Sequence, residues 1–285
     1  MNSNAMSSVT LPHLLKSVTP ADVIVDPFPH IVIEHAISDE LARQLIAAYP
    51  SLETITKGKP LLSNKRFSLD ANDTRKEKSI NPLWRTLIEA HITQEFLSDV
   101  LKIFRTHILA TYPDFEKRFG PLDTLVAGVR KTETENTDKL LLDAQICVNT
   151  PVTGTPTSVK IAHVDGLEEL FAGLLYLRHP DDDSKGGDLE IFKFKSGKPV
   201  FQDRNWWIDY KYVEKVKTVP YGRGNLIFFL NSPQSLHGVT VREKTSSPRL
   251  FLNLVVETPA PLFDLSHLRE GTLRRLWRKI RTRGS

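Results

Sequence analysis

Cysteine is nearly absent from this sequence of 285 residues, which contains Cys147 and no other. An intrachain disulfide is therefore excluded, and so is a zinc site built from several thiolates, because both need a second cysteine. Any metal site must use imidazole and carboxylate ligands. Cys147 lies in the apolar stretch 144–148, which favours a buried thiol in a strand over a nucleophile.

Long apolar runs are also missing. No stretch of about 18 or more apolar residues occurs, and the N-terminus lacks a basic segment followed by an apolar one. The sequence therefore favours neither a membrane span nor a secretory signal, and the expected location is the cytoplasm. Residues 1–5 resemble the remnant of an expression tag, so Met6 is the expected natural start.

Basic charge is concentrated at the C-terminus. Residues 269–285 contain seven lysines and arginines and one acidic residue, although the net charge of the whole chain is +4. The rest is slightly acidic, so nucleic acid is not an expected partner. Apolar residues of the tail follow helical spacing at Leu273, Leu276, Trp277 and Ile280. We expect residues 261–285 to form a basic helix that packs on its own domain, with polyanion or membrane-surface binding as the alternative.

The first half of the chain has the pattern of helices. A β-rich run at residues 27–34 is followed by Ser38, a good N-cap, and by a helix predicted from Asp39 to about Tyr49, before Pro50. Residues 57–78 are polar and aperiodic, which predicts a long loop or lid. Over residues 82–119 apolar residues recur at helical spacing, so two or three helices are expected.

After Leu122 the pattern changes to short β-branched or aromatic runs separated by turn residues. Eight strands are predicted, at residues 125–129, 144–148, 158–163, 171–177, 188–194, 215–219, 225–230 and 250–257. Strands without intervening helices favour a closed or double-sheet β fold. We therefore predict an α+β protein of one structural domain, with a strand and supporting helices in residues 6–121 and the β core in residues 122–260.

Two histidines and an aspartate in the β region could hold one metal ion. Two imidazoles and a carboxylate on one face of iron(II) leave other positions open for oxygen and a co-substrate. One residue separates His163 from Asp165, and Gly166 permits the turn that lets both reach one ion. His237 follows the apolar run 225–230 and a turn, and is the candidate third ligand.

A second His-x-Asp copy shows that this motif is weak when taken alone. His179, Pro180 and Asp181 precede a run of polar residues and glycines. We interpret this copy as a surface turn.

The segment 145–257 resembles the prolyl-4-hydroxylase-like branch of the iron(II)/2-oxoglutarate-dependent oxygenases. The resemblance rests on an ordered series of motifs: His163-x-Asp165, Leu174-Leu175-Tyr176-Leu177, Gly186-Gly187-Asp188-Leu189, Gly224-Asn225-Leu226-Ile227, His237-Gly238-Val239 and Arg249. It implies a double-stranded β-helix, or jelly roll, with N-terminal buttressing helices.

The resemblance also implies the chemistry. His163, Asp165 and His237 would bind Fe(II) as the catalytic centre, and Arg249 with Tyr176 would bind 2-oxoglutarate. The implied activity is that of a dioxygenase that uses O2, hydroxylates an unactivated C–H bond and releases succinate and CO2, with ascorbate as an optional addition. Because Asp165 fills the carboxylate position, halogenation is disfavoured.

Several alternatives stay open. Twelve residues separate His237 from Arg249, so Arg242 is a second candidate for 2-oxoglutarate, and Tyr176 is equally well read as a core tyrosine. A cupin-like metal-binding isomerase and a non-catalytic binding module are the alternative functions. Members of the resembling family act on prolyl peptides, amino acids, glycans and lipid-linked molecules, so the expected partner is a small-molecule, peptide or glycan substrate.

Overall fold

The computed structural model describes residues 11–132, 138–201 and 207–265. The expected tag remnant at residues 1–5 and most of the predicted basic helix at residues 261–285 lie outside the described residues. Within those ranges, every helix is too short or too polar to reach across a membrane.

Six α-helices lie in the first half of the described chain. They are α1 (Asp39–Ala47), α2 (Leu52–Thr56), α3 (Ala71–Lys76), α4 (Pro82–Ala90), α5 (Gln94–Thr111) and α6 (Phe115–Phe119). Short 3-10 helices lie at Pro20–Asp22, Leu122–Thr124 and Tyr210–Tyr212. Side-chain N-caps explain where several of the helices begin. Ser38 Oγ accepts from the Leu41 N–H before α1, and Thr93 Oγ1 accepts from the Phe96 N–H before α5.

Ten strands form two sheets in the described residues. The strands are β1 (His30–Ile33), β2 (Arg66–Leu69), β3 (Ala127–Val129), β4 (Leu140–Asn149), β5 (Glu169–Tyr176), β6 (Leu189–Phe194), β7 (Val213–Val219), β8 (Leu226–Leu230), β9 (His237–Val239) and β10 (Arg249–Glu257). The larger sheet has the order β1-β8-β5-β10-β4-β2, with β3 beside β4, and the smaller has the order β7-β6-β9. All pairs are antiparallel except β3 with β4.

One face of the larger sheet is covered by helices. Alternate residues of β10, such as Leu252, belong to the main hydrophobic core together with buried residues of α4 and α5. Phe104 of α5 packs against Phe171 and Phe228 of the sheet, with ring centroids 5.0 and 6.0 Å apart. The helices therefore buttress the sheet from outside, as the sequence predicts.

The other face of the larger sheet lies towards the smaller sheet. Phe251 of β10 lies opposite Cys147 of β4 and Tyr176 of β5. Residues paired directly across two strands point to the same face. All three belong to a second hydrophobic cluster that includes Leu189 and Ile191 of β6, so the two sheets pack through this face.

This inner face is divided into a polar and an apolar half. Across β2, β4 and β10, one row of paired residues consists of Arg66, Asn149 and Arg249. Gln145 pairs with Asn253 four residues further along. On β5 and β8 the same face carries apolar side chains, among them Ala172, Leu174 and Phe229. A cavity between the sheets therefore has hydrogen-bonding groups on one side and apolar side chains on the other.

The α+β class with antiparallel sheets is confirmed, and seven of the eight predicted strands are present with shifted ends. The prediction of a loop over residues 57–78 is wrong, because this segment contains β2 and α3. Strand β2 is held by pairing with β4. Helix α3 begins at Asp70, whose Oδ1 accepts from the Asp73 N–H at 2.7 Å, while Asp143 Oδ1 accepts from the Ala71 N–H at 2.9 Å.

The prediction of a strand over residues 158–163 is also wrong. In this segment His163 makes isolated bridges to Trp207 and His237, and the other residues are irregular. The sequence prediction missed β9, which supplies the backbone partner of His163 instead. The predicted helix from Asp39 ends at Ala47, two residues before the expected end. The domain boundaries at residues 121 and 260 stay predictions.

We expect Gly173→Ala to destabilise the protein. A Cβ at this position in β5 would lie 2.4 Å from Phe228 Cδ2 and 3.2 Å from the Ile227 carbonyl oxygen. Phe228 is held by Phe104 and Phe171, so the strand has little room to relax. The free energy of unfolding should fall by about 1–3 kcal/mol, the usual cost of overpacking a core. Denaturant unfolding measures this quantity.

The matched control is Gly154→Ala, because the nearest atom to a Cβ there is Ser63 Oγ at 4.0 Å. This variant should change the free energy of unfolding by less than about 0.5 kcal/mol. Equal stability of the two variants would contradict the packing described for β5.

Candidate metal centre and cavity

The three candidate metal ligands lie together at one end of the smaller sheet. His163 and His237 exchange two backbone hydrogen bonds, with N···O distances of 2.9 and 3.0 Å. Their ring centroids are 4.3 Å apart. Asp165 Oδ1 lies 3.5 Å from His163 Nε2, and its Oδ2 lies 3.3 Å from His237 Nε2. One ligand atom from each residue lies within 4.8 Å of the other two, which is close enough for a single ion.

Both imidazoles are oriented by backbone carbonyls. His163 Nδ1 lies 2.7 Å from the Ile161 carbonyl oxygen, and His237 Nδ1 lies 2.9 Å from that of Ser235. These contacts assign the ring proton to Nδ1 in each case, which leaves the Nε2 lone pair for a ligand. His163 Nε2 is buried and has no hydrogen-bond partner among the described residues. A divalent ion would satisfy it.

A hydrogen-bond network joins the segments that carry the ligands. Asn231 Nδ2 donates to the carbonyl oxygens of Gly166 and Glu169 at 2.8 and 2.9 Å. Its Oδ1 accepts from Ser235 Oγ at 2.9 Å, just before His237. Asn231 is fully buried. The turn after Asp165 and the turn before His237 are thus fixed relative to each other.

The electrostatics favour the protonation states that a metal site needs. Burial first, and then the charge of His237, lower the pKa of His163 to about 4. Burial alone would raise the pKa of Asp165, but the charges of His237 and Lys160 hold it well below its usual value. Lys160 Nζ lies 3.3 Å from Asp165 Oδ1. A neutral imidazole and an ionised carboxylate are the forms that bind a metal.

The second His-x-Asp copy lies on the surface. His179 Nδ1 lies 3.6 Å from Asp181 Oδ2, and the two side chains are 49% and 89% exposed. No third ligand group accompanies them in the described part of the chain. This placement agrees with the interpretation as a turn.

One other cluster has the composition of a metal site. His13, Glu95 and Asp99 bring three ligand atoms within 4.8 Å of one another. Lys16 Nζ, however, lies 2.6 Å from Glu95 Oε1 and 3.2 Å from Asp99 Oδ2. Lys16 contacts both carboxylates and His13 Nε2 contacts Asp99 at 2.9 Å, so we interpret the cluster as an ion-pair network.

A cavity of about 150 Å³ extends from the His-Asp-His group between the two sheets. Arg249 lies in its wall, and its side chain is buried. Arg249 Nε donates to the Gly187 carbonyl oxygen at 2.7 Å, and Nη1 donates to Asn149 Oδ1 at 3.2 Å. Nη2 has no partner among the described residues. Two hydrogen bonds therefore fix the position of the guanidinium, and its Nη2 donors are left for a ligand.

Arg249 lacks a counter-charge. No carboxylate forms an ion pair with it in the residues that the structure describes, and the guanidinium carbon lies instead 4.8–5.2 Å from the ring centres of Tyr176, Tyr221 and Phe251. An unpaired buried charge is costly. An anionic ligand in the cavity would supply the missing partner.

Tyr176 and Arg242, whose roles the sequence leaves open, have different surroundings. Tyr176 is fully buried with its ring against Arg249, and its hydroxyl has no hydrogen-bond partner in the described chain. Burial raises the pKa of Tyr176, so the hydroxyl keeps its proton. Arg242 is fully buried outside the cavity lining, where its guanidinium donates to the carbonyl oxygens of Thr150 and Ser247.

Sequence reasoning missed several residues of the cavity wall. Asn149 is fully buried, and its Nδ2 has no partner among the described residues. Arg66, Lys160 and Asn253 also line the cavity. A signal was present for Asn149, since Asp143, Gln145 and Asn149 place polar side chains at alternate positions in the apolar β4. No local signal identified Arg66, because its place follows from the pairing of β2 with β4.

The carboxyl group of Glu169 is a titratable neighbour of this centre. Burial first, and then the charge of Asp165, raise the pKa of Glu169 to about 7. Its Oε1 accepts from the Gly166 N–H at 3.3 Å. Between about pH 4.5 and pH 7 the folded protein keeps a proton that the unfolded chain releases. Glu169 therefore makes stability fall as the pH rises through this window.

We expect Glu169→Gln to remove this dependence, because the amide oxygen still accepts from Gly166 and carries no charge. In EDTA, the unfolding free energy of the variant relative to wild type should rise by about 1–3 kcal/mol between pH 4.5 and pH 8. Denaturant unfolding across this range measures the difference. Glu168→Gln is the exposed neighbouring control and should keep a constant difference; a constant difference for Glu169→Gln as well would contradict the prediction.

Comparisons with known proteins give structural likeness at low identity. No family model matches the sequence, and no curated protein matches it. Solved structures with a similar chain path include prolyl 4-hydroxylases and a 2-oxoglutarate-dependent enzyme, which are the enzyme types that the sequence motifs resemble.

Three of these structures define the extent of the likeness. A prolyl 4-hydroxylase from Phytophthora capsici is 15% identical over 80% of this chain, with a TM-score of 0.44, and this chain spans 58% of its length. One from Pseudomonas putida is 13% identical over 80% of this chain and 92% of its own, with a TM-score of 0.38. The carbocyclase SnoK from nogalamycin biosynthesis is 15% identical over 84% of this chain and 85% of its own, with a TM-score of 0.42. At these values, function has to be argued from the geometry of the site.

Proposed function

We propose that this protein is an Fe(II)- and 2-oxoglutarate-dependent dioxygenase that hydroxylates an unactivated C–H bond of its substrate. One observation carries the proposal: a group of two imidazoles and one carboxylate shares a small cavity with a buried arginine that lacks a counter-charge. The fold that we infer is a double-stranded β-helix, with the cavity between its two sheets.

His163, Asp165 and His237 are the residues that would hold the metal. Their donor set suits iron(II), because two nitrogens and one oxygen on one face leave positions open for other ligands. When bound there, Fe(II) together with O2 would couple the decarboxylation of 2-oxoglutarate to oxidation of the substrate, giving succinate and CO2. The carbonyls of Ile161 and Ser235 keep both Nε2 atoms directed at the same point.

Arg249 is the residue that we assign to the 5-carboxylate of 2-oxoglutarate. Its Nη2 donors are free, its Nε and Nη1 are already fixed, and a guanidinium can give a carboxylate parallel hydrogen bonds. The Tyr176 hydroxyl is buried beside it with a proton to donate. Arg242 fits this role less well because it lies outside the cavity lining and carbonyl oxygens accept from both its Nη1 and its Nη2.

The apolar half of the cavity would keep water from the reacting atoms. Ala172, Leu174 and Phe229 form this wall beside the ligand group. A cupin-like isomerase does not need an unpaired arginine at this depth, and a non-catalytic binding module does not need two imidazoles and a carboxylate beside it. The substrate that we propose is a small molecule, a peptide such as a prolyl peptide, or a glycan, and ascorbate is a useful addition to the assay.

We expect one divalent ion per chain, bound by the three ligand residues. Cobalt(II) is a suitable probe for titration because it tolerates air better than iron(II). His163→Ala and Asp165→Ala should each weaken binding at least about a hundredfold, since each removes one of three bonds to the ion.

His179→Ala and Asp181→Ala are the matched controls, because they change the exposed copy of the same motif. Both should bind cobalt(II) like the wild type. If cobalt(II) binding persists in His163→Ala and is lost in His179→Ala, the exposed copy is the metal site.

We expect Arg249→Ala to weaken 2-oxoglutarate binding about a hundredfold to several thousandfold. The estimate corresponds to roughly 3–5 kcal/mol for breaking a buried charge pair. Arg249→Lys should keep part of the affinity, because a lysine keeps the positive charge. The rest should be lost, because a lysine cannot donate the two parallel hydrogen bonds of a guanidinium. Titration of 2-oxoglutarate into cobalt-loaded protein gives the affinity, and succinate release with Fe(II) and O2 tests the activity.

Arg242→Ala is the comparison variant, with its fold checked by circular dichroism. Its affinity for 2-oxoglutarate should stay near that of the wild type. Near-normal binding by Arg249→Ala beside a large loss in Arg242→Ala would transfer the role to Arg242. Absence of succinate release by the wild type, with any candidate substrate or none, would argue for the cupin-like or binding-module alternative.

A further inference from the structure

The cavity carries more positive charge than the proposed metal and co-substrate can balance. Three cationic side chains line it, and Asp165 is the one acidic residue in the described lining. A divalent ion would add two positive charges, and 2-oxoglutarate would remove two. The loaded site would therefore keep the same surplus of two positive charges as the empty cavity. The cationic residues are Arg66, Lys160 and Arg249.

Arg66 is the clearest source of this surplus. Its Nη2 lies 3.6 Å from Cys147 Sγ, and its guanidinium carbon lies 5.2 Å from the centre of the Phe251 ring. A thiol is a weak acceptor, and an arginine has five N–H donors. No carboxylate forms an ion pair with Arg66 in the described ranges. Its side chain is partly exposed, so a ligand can reach it.

Arg66 reaches the cavity from a different strand than Arg249. The two residues occupy the ends of one row, with Asn149 between them on β4. Adjacent strands lie about 4.8 Å apart, so the two backbones are separated by roughly 10 Å. Both side chains point to the inner face. Because the two side chains start two strands apart, each can bind its own anionic group in the cavity.

Lys160 adds a second cation to this part of the wall. Its side chain is 50% exposed, and its ammonium contacts Asp165 Oδ1 at 3.3 Å. When Asp165 binds a metal ion, the carboxylate shares its negative charge with that ion. Lys160 then loses much of its counter-charge, which increases the attraction of the loaded cavity for an anion.

We propose that the substrate is an organic anion whose carboxylate or phosphate group is bound by Arg66, with Lys160 adding to the attraction. This inference rests on the proposed function, because the substrate must meet the metal and 2-oxoglutarate in the same cavity. The guanidinium carbon lies 5.2 Å from the centre of the Phe251 ring, and its planar fork suits either oxyanion. Arg66 is thus a specificity-determining residue of the cavity.

The test uses inorganic sulfate as a probe of the anion site. Zinc(II) replaces iron in the protein so that no turnover occurs, and 2-oxoglutarate is present at saturation. Calorimetric titration with sodium sulfate is compared with sodium chloride at matched ionic strength. Wild type should bind sulfate saturably, and Arg66→Gln should bind it at least about tenfold more weakly, while its affinity for 2-oxoglutarate stays within about twofold of wild type.

Arg43→Gln is the matched control, because Arg43 is exposed on α1 and pairs with Glu40. It should bind sulfate like the wild type, and Arg66→Lys should bind with intermediate affinity. No saturable sulfate binding by the wild type, or equal binding by Arg66→Gln, would overturn the proposal. A parallel loss of 2-oxoglutarate affinity in Arg66→Gln would also overturn it, because Arg66 would then be a co-substrate residue.

Failure of the proposed function would be seen separately. Zinc(II) and 2-oxoglutarate uptake by the wild type are measured before sulfate is added. A wild type that takes up neither would remove the dioxygenase proposal itself, whereas normal uptake without sulfate binding would remove the anionic substrate alone.

Discussion

The backbone pairing between His163 and His237 is the constraint on which the rest of the site depends. Two hydrogen bonds bring residues 74 positions apart in the chain to adjacent places, although His163 lies outside any regular strand. Each ring is then turned by a carbonyl two residues before it. Asp165 needs one tight turn to join them, and Asn231 locks that turn to the segment before His237. The geometry of the ligands therefore depends on main-chain hydrogen bonds and on one buried side chain, Asn231.

The alternation of side chains in the larger sheet gives the cavity its two kinds of wall. Helix packing demands apolar residues at every second position of β4 and β10, and the positions between are free for other uses. On β2, β4 and β10 these positions include Arg66, Asn149, Gln145, Arg249 and Asn253, whereas on β5 and β8 they are apolar. The same sheet thus provides a core on one face and a site on the other.

The sequence predicted those parts of the structure that depend on local patterns. Helical spacing located α1, α4 and α5, and the motif order placed His163, Asp165, His237 and Arg249 as candidates. It could not locate β2, since this strand is short and exists through pairing with β4, about 80 residues later in the chain. The contribution of Arg66 to the cavity was hidden for the same reason. Residues 158–163 show the opposite error, because an apolar pattern predicted a strand where the chain makes two isolated bridges.

The lone charge of Arg249 has a thermodynamic consequence for the protein. Gly187, with φ +88°, leaves room for the arginine, and a Cβ there would lie 3.2 Å from its Cδ, so the guanidinium is fixed before any ligand arrives. An empty cavity then bears the whole cost of a desolvated cation, and an anion that enters relieves it. A ligand that binds the folded chain shifts the folding equilibrium in proportion to the logarithm of its concentration. An anion that binds at Arg249 would therefore raise the melting temperature of the protein, and the increase would depend on the anion's concentration.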